Sequence, residues 1–366
     1  MNNKSISWKQ VFVLAGALNA YLIGSATATG QESIQFFTSH GYIGIASIIV
    51  TLIVFGWASS SLIALGSQSR DMEGNIYQQI LGNYFGKIFE WFVTFFLFSL
   101  TITLVSGSGT IIADFYQLPK IVGALLMTVL IFLTVLLSLQ KLVDLLSFIA
   151  PIIIVFTTII SIVSIYNSFG NAFIVNDLLT NVQVDKAVNS WFLSGLLYAT
   201  FGVTIAAPFL LKVGTTTDNR REAIYGGLIG ALVYGIAVSI ISFALLINID
   251  VIYDKETPLV FLAEGFHPIF GILFSIIILA GIYTTGAPMF WYVSSALVED
   301  GTPKHRLVSA ILIVIILIGG IYLPFGKLVG TIYPVAGVFG IILLAVLLFK
   351  QIRHRLQSLR KSKMGN

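Results

Sequence analysis

Residues Gly16 to Phe37 read GALNAYLIGSATATGQESIQFF. The first part is an apolar run that enters a membrane as a helix. Its middle, Gly24-Ser25-Ala26-Thr27-Ala28-Thr29-Gly30, is small, polar and bounded by glycine, a composition that holds a continuous helix poorly. Thr29-Gly30-Gln31-Glu32 then predicts a fresh helix start, with Thr29 as cap and Glu32, three residues on, as its reciprocal partner. A helix that stops and restarts within one span is tolerated in hydrocarbon only where the freed backbone lines an enclosed cavity. Transporters place their binding sites at such breaks.

The rest of the chain supplies the membrane setting. Of its 366 residues, 57% are hydrophobic and 10% charged, against roughly 25% charged in soluble domains. Apolar runs of about 20 residues, each long enough to span a bilayer, recur from end to end. They predict ten spans: 9–38, 42–65, 88–113, 119–139, 142–166, 191–211, 223–247, 268–297, 307–323 and 328–349. The fourth and fifth are separated by Gln140 and Lys141 alone, which predicts a tight hairpin. Ala26-Thr27-Ala28 has the pattern of a signal-peptidase site, but a chain whose later spans insert unaided needs no removable leader. There is no cysteine, which excludes disulfides, thiolate metal sites and cysteine nucleophiles.

Charge orients these spans. With the amino terminus inside, all but four of the 20 lysines and arginines fall on the cytoplasmic side, the exceptions being Lys120, Lys186, Lys255 and Lys327. This bias follows the positive-inside rule and favours an even number of spans with both termini cytoplasmic. The net charge of +4 is therefore a matter of topology and not of nucleic-acid binding. The partners expected are the lipid bilayer and a small-molecule substrate; nothing in the sequence sets an oligomeric state. The location expected is a bacterial plasma membrane.

Three connections predict structure of their own. Residues 71–87 form a short amphipathic segment, Thr257-Pro258 to Gly265 reads as a capped outer helix, and 167–190 is the longest polar loop. Spans one to five and six to ten are offset by about 180 residues, and an odd number of spans per half means that the second half inserts upside down, as in inverted-repeat transporters. The chain is thus read as one transmembrane domain over 1–366. Its repeats cover 9–166 and 191–349, and 350–366 is a basic cytoplasmic tail. The symmetry asks for a second break in the sixth span, where Tyr198-Ala199-Thr200-Phe201-Gly202-Val203-Thr204 is small and polar and Pro208 follows.

GSATATGQESIQFF, together with the ten-span layout, resembles the YkvI-type membrane proteins of Gram-positive bacteria. These belong with the amino acid–polyamine–organocation transporters, which share the LeuT fold. Where that superfamily has a second glycine in the first break, this chain has Ala26. The resemblance implies an all-α polytopic membrane protein with ten transmembrane helices, a 5+5 inverted repeat, and helices one and six interrupted. It also implies that both breaks face the substrate, so that Gly24, Ser25, Ala26, Thr27 and Ala28 meet Tyr198, Thr200, Phe201 and Gly202.

Gly281, Thr284 and Thr285 share one face of the eighth span, being three and four residues apart. Sodium-coupled members of the fold build a cation site from such a trio plus carbonyls before the first break, here Ala20 and Ile23. The competing reading is that both threonines bond back to their own helix. Glu32, an intramembrane acid beside the break, is a coupling or gating candidate, although a cap role also accounts for it. The four histidines fall at loops or span ends and make no metal pair. No HExxH, GxSxG or phosphate-binding glycine loop occurs, so no cofactor and no enzymatic activity are expected. Gly226 and Gly230 form a close-packing pair.

These features predict a secondary transporter, a symporter of a small polar solute such as an amino acid or a derivative, coupled to sodium ahead of protons. The alternative is a nutrient-sensing receptor subunit resembling germinant-receptor proteins, which binds without transport.

Overall fold

The computed structural model describes residues 5–22, 25–68, 76–135 and 139–364. All the regular elements among the described residues are helices. In the first span the described helical residues are α1 (Trp8–Leu22) and α2 (Ser25–Thr29), and a further helix, α3 (Gln31–Phe36), follows Gly30. Ile23 and Gly24, at the expected break, lie outside the described residues.

A discontinuity that is described falls at Gly30, where φ is 86°. A residue without a Cβ enters this left-handed region at little cost. A Cβ would also meet Pro258 Cγ at 3.0 Å and Leu259 Cγ at 3.1 Å. The backbone reverses its hand here, and the expected capping box does not form. Thr29 Oγ1 accepts from the Gln31 N–H at 3.3 Å, while the Glu32 carboxylate bonds elsewhere in the bundle.

A 3₁₀ segment (Thr38–Ile43) leads into α4 (Gly44–Gln68). There follow α5 (Ile76–Leu81), α6 (Asn83–Tyr116), α7 (Lys120–Val135), α8 (Leu139–Ser168) and α9 (Val175–Thr180). The second half contains α10 (Trp191–Gly214), α11 (Arg220–Leu246), α12 (Ile249–Ile252), α13 (Pro258–Phe266), α14 (Pro268–Leu297), α15 (Pro303–Tyr322) and α16 (Phe325–Met364). Among the described residues, eight helices are long and apolar enough to cross a membrane, and α7 is a shorter apolar helix. With the segmented first span they make the expected ten. Gln140 and Lys141 lie inside α8; the join to α7 is at 136–138, outside the described residues. Large apolar side chains such as Phe12, Ile53, Phe95 and Ile159 face outward, as lipid contact requires.

The sixth span departs from expectation. It is a single helix, α10, through Tyr198–Thr204. Its polar side chains do not loosen it, because their hydroxyls bond to carbonyls. Thr204 Oγ1 donates to the Thr200 carbonyl at 2.8 Å, and Thr200 Oγ1 donates to the Gly337 carbonyl of α16 at 2.7 Å. Pro208 interrupts the ladder, having no N–H for the Thr204 carbonyl. Tyr77 of α5 fills that vacancy, its hydroxyl 3.1 Å from the Thr204 oxygen. Tyr21 of α1 donates to the next carbonyl, that of Ile205, at 2.9 Å.

α10 is the centre of the bundle, packed on α4 along one side and α16 along the other. Ser47 Oγ and Thr51 Oγ1 of α4 donate to the Trp191 and Gly195 carbonyls at 2.7 and 2.9 Å. Gly337 lies directly on the Leu197 carbonyl, an approach that any side chain would block. α1 packs on α11, with Gly226 and Gly230 receiving Leu14 and Leu18. Hydrogen bonds between membrane helices contribute only about 0.6 kcal/mol each on average. Close backbone packing is therefore the main source of cohesion, and the polar contacts fix register.

Candidate functional site

The hand reversal at Gly30 places Glu32 in the middle of the bundle, 4% exposed. Two hydroxyls from two elements converge on its carboxylate. Thr27 Oγ1 of α2 donates to Oε2 at 3.0 Å, and the Tyr198 hydroxyl of α10 donates to the same oxygen at 2.7 Å. Tyr333 of α16 is a buried near neighbour of the carboxyl. Tyr198 uses its only proton on Glu32, so the Tyr234 hydroxyl of α11, 2.7 Å away, must donate to Tyr198. Among the described residues no lysine, arginine or histidine bonds or pairs with Glu32.

Magnitudes say what such a site can do. An acid at the centre of a membrane helix costs about 2.5–3.5 kcal/mol on insertion scales. Hydrogen bonds to a charged group contribute about 1.5–3 kcal/mol each, so two of them offset a penalty of that size. Neither the charged nor the neutral form is excluded, and the balance can be tipped by whatever else arrives.

Aromatic rings pack on the tyrosines of this layer. Tyr198 packs against Phe36 and Phe37 at 5.1 and 4.9 Å between ring centroids. Phe201 stacks on Tyr333 at 4.3 Å, and Phe55 lies 5.8 Å from Tyr234.

A second polar layer adjoins this one. Gln35 Nε2 donates to the Gly326 carbonyl at 2.8 Å. With the Gln31 amide oriented as its neighbours require, its nitrogen donates to the Lys255 and Glu256 carbonyls at 3.3 Å each, and its oxygen accepts from Gln35 at 2.9 Å. The Glu256 carboxylate accepts from Thr110 at 2.9 Å. Beyond it is a cleft of ≈ 310 Å³, lined by Asp114, Lys120, Asp254 and Glu256 among others. The two glutamines thus lie between the Glu32 niche and the cleft.

The structure assembles the expected site residues only in part. Thr27, Glu32, Tyr198 and Phe201 come together, and Ala28 is buried next to Thr27. Ser25 and Ala26 lie in α2, and Gly24 lies outside the described residues. Thr200 is directed to α16 by its bond to Gly337. Gly202 faces Phe55 of α4.

For the sodium set, Gly281, Thr284 and Thr285 lie on α14, which packs on α2. The Thr284 hydroxyl donates to the Gly281 carbonyl at 3.0 Å, the back-bonding open to any helical threonine. Pro288, four residues on, withholds the N–H that the Thr284 carbonyl would accept. Ala20 belongs to α1, and Ile23 is outside the described residues.

Tyr234 and Tyr333 were not foreseen. A tyrosine inside an apolar span looks like packing, and neither has a local motif. The signal available was the tyrosine hydroxyl itself, which needs a partner when buried.

Ten membrane helices, with the first in pieces around an enclosed carboxyl, define a membrane protein of the LeuT fold. Among solved structures the chain is similar to a mutant of the Eremococcus coleocola manganese transporter, at 13% identity over 95% of this chain and 80% of that one, with a TM-score of 0.60. It is similar to Mhp1 in its inward-facing conformation, at 12% identity over 92% and 75% with a TM-score of 0.59. A third is MhsT in complex with L-phenylalanine, at 15% identity over 93% and 88% with a TM-score of 0.51. All three are LeuT-fold transporters.

No family model matches the chain. Along nearly its whole length it is similar to the membrane protein YkvI of Bacillus subtilis (strain 168), 21% identical over 358 residues that cover 96% of this chain and 98% of YkvI. YyaD of the same organism is 20% identical over 332 residues, 90% of this chain and 94% of YyaD. The resemblance carried by GSATATGQESIQFF thus extends over the full chain.

Proposed function

We propose that this protein is a secondary transporter of a small polar solute, an amino acid or a derivative, working by cation-coupled alternating access. One observation carries the reading: an ionisable group, Glu32, stands in mid-bundle at a helix discontinuity and is held by hydroxyls from α2 and α10. An intramembrane acid without a structural counter-ion is costly unless it handles a cation or a proton. LeuT-fold neighbours support the transport class, and MhsT was solved with L-phenylalanine.

The expected repeats, 9–166 and 191–349, would supply the two groups of helices that rock about the site. Both termini would lie in the cytoplasm of a bacterial cell. Two ions compete for the coupling role. Sodium rests on the α14 trio with Ala20 and Ile23, and the proton rests on Glu32. We take the proton as the coupling ion, because Glu32 is an ionisable group buried in mid-bundle and bonded by neutral hydroxyls.

Counterflow of a labelled mixture of the common amino acids into proteoliposomes tests the reading. Trans-stimulated accumulation supports transport. Saturable binding without flux supports the receptor alternative.

A further inference from the structure

We propose that the carboxyl-terminal part of α16, from Lys350 to Met364, is a docking surface for anionic phospholipid at the membrane face where the helix emerges. The partner is the bilayer itself, so the inference holds whether the chain transports or senses.

The first ground is length. α16 runs as one helix over 40 residues, Phe325–Met364. At 1.5 Å per residue it is about 60 Å long, twice the hydrocarbon thickness of about 30 Å. The expected span ends at Phe349, which leaves about 20 Å of helix beyond it.

The second ground is register. Val335, Val338, Ile342, Ala345, Phe349 and Ile352 are exposed and follow one another at alternating steps of three and four residues. That spacing places them on one face of the helix, the face turned to lipid. The sequence continues the same steps with Leu356 and Leu359, so the apolar stripe outlasts the span. In water these two leucines would bury nothing. At headgroup depth an amphipathic helix lays such a stripe on the acyl boundary.

The third ground is charge. Lys350, Arg353, Arg355, Arg360, Lys361 and Lys363 are interleaved with the stripe, and no aspartate or glutamate follows Asp300. Orientation of the last span does not require this density, because Lys212, Arg220, Arg221, Lys304 and Arg306 already mark the same side. A polybasic segment beside a span is drawn to anionic headgroups, by about fivefold in affinity for each cation near the surface. Long basic side chains can lie their stems along apolar surface and keep the charge at the phosphates.

Two other occupants use only half of these features. A stripe with this spacing can also be the seam between two copies of a helix, but a second tail brings like charges and no acid to pair with them. A nucleic acid would engage the cations and leave the stripe uncovered. Anionic lipid engages both.

The chain has no cysteine, so Ser358→Cys in the full chain takes a single nitroxide label. Collisions of the label with a neutral, water-soluble nickel chelate are measured in phosphatidylcholine vesicles and in vesicles containing equal parts of phosphatidylcholine and phosphatidylglycerol. The expected result is a collision rate about fivefold or more lower in the anionic vesicles, recovering in about 1 M salt, where the screening length falls to about 3 Å. With Arg353→Gln, Arg355→Gln, Arg360→Gln, Lys361→Gln and Lys363→Gln combined, the two vesicles should give the same rate. Leu356→Ser with Leu359→Ser keeps every charge and should leave a smaller, still salt-sensitive protection. Both sets of changes lie beyond the last span, and unchanged melting of the bundle checks that it is intact.

Equal rates for the parent label in the two vesicles would overturn the proposal, as would full protection after the five glutamine substitutions or after the two serine substitutions. Spin–spin broadening between labels on different copies would replace lipid by a second chain. Protection in phosphatidylcholine vesicles by added oligonucleotide, with none from phosphatidylglycerol, would replace it by nucleic acid.

Discussion

Tyr77 donates its hydroxyl to the Thr204 carbonyl, 3.1 Å away, across a gap in α10 that Pro208 creates. The contact joins a short helix between two spans to the central helix of the bundle. Removing the hydroxyl leaves a buried acceptor without a donor, which costs about 1–3 kcal/mol. Tyr77→Phe should lower stability by that amount in denaturant unfolding. Pro208→Ala restores the missing N–H, so the same tyrosine substitution on that background should cost much less. Equal costs on both backgrounds would mean that Tyr77 is not serving the proline gap.

The Gly30 discontinuity makes a prediction of its own. Gly30→Ala must adopt φ near 86° and fit a methyl 3.0 Å from Pro258 Cγ. Left-handed backbone alone costs roughly 1–2 kcal/mol for an L-residue. A lower melting temperature is expected, together with a larger loss for Gly30→Val. An alanine variant as stable as the parent would show that the helix need not change hand at this point.

Much of this was open to a reader of the sequence, and the boundary has physical causes. Span length and charge bias report burial in lipid directly, so the ten helices and the segmented first span could be read off. The sixth span was expected to break because Thr200, Gly202 and Thr204 look helix-averse. Inside a membrane their hydroxyls bond to carbonyls instead, and two tyrosines distant in sequence serve the carbonyls beside Pro208. The capping box at Thr29 and Glu32 is a local pattern, and it was overridden by tertiary partners more than 160 residues away, such as Tyr198 at |i−j|=166. Tyr234 and Tyr333 have no periodic or local signature. Only the folded bundle brings them to Glu32.

The glutamine layer between Glu32 and the cleft should act as a closure. Gln35→Ala removes the bond to the Gly326 carbonyl. The chain has no cysteine, so a single Ser33→Cys substitution gives one reporter thiol at a fully buried position whose hydroxyl bonds nothing. Loss of a bond worth about 0.6 kcal/mol raises the open population roughly threefold. Maleimide labelling of Cys at 33 should accelerate by that factor in the Gln35→Ala background. An unchanged rate would place the closure elsewhere.

Coupling separates the two candidate ions. If protons at Glu32 drive the cycle, replacing sodium by choline on both sides of the vesicle leaves amino acid flux unchanged. A flux that requires sodium, and whose sodium requirement disappears with Thr284→Ala, would return the coupling role to α14.

Accumulation of labelled amino acids by vesicles under a proton gradient of either direction and without sodium is the most direct measurement. Proton movement through Glu32 should drive uptake in the parent protein, and Glu32→Gln should accumulate no more than protein-free vesicles. Uptake by Glu32→Gln at the parent rate would contradict a role for this carboxyl in transport.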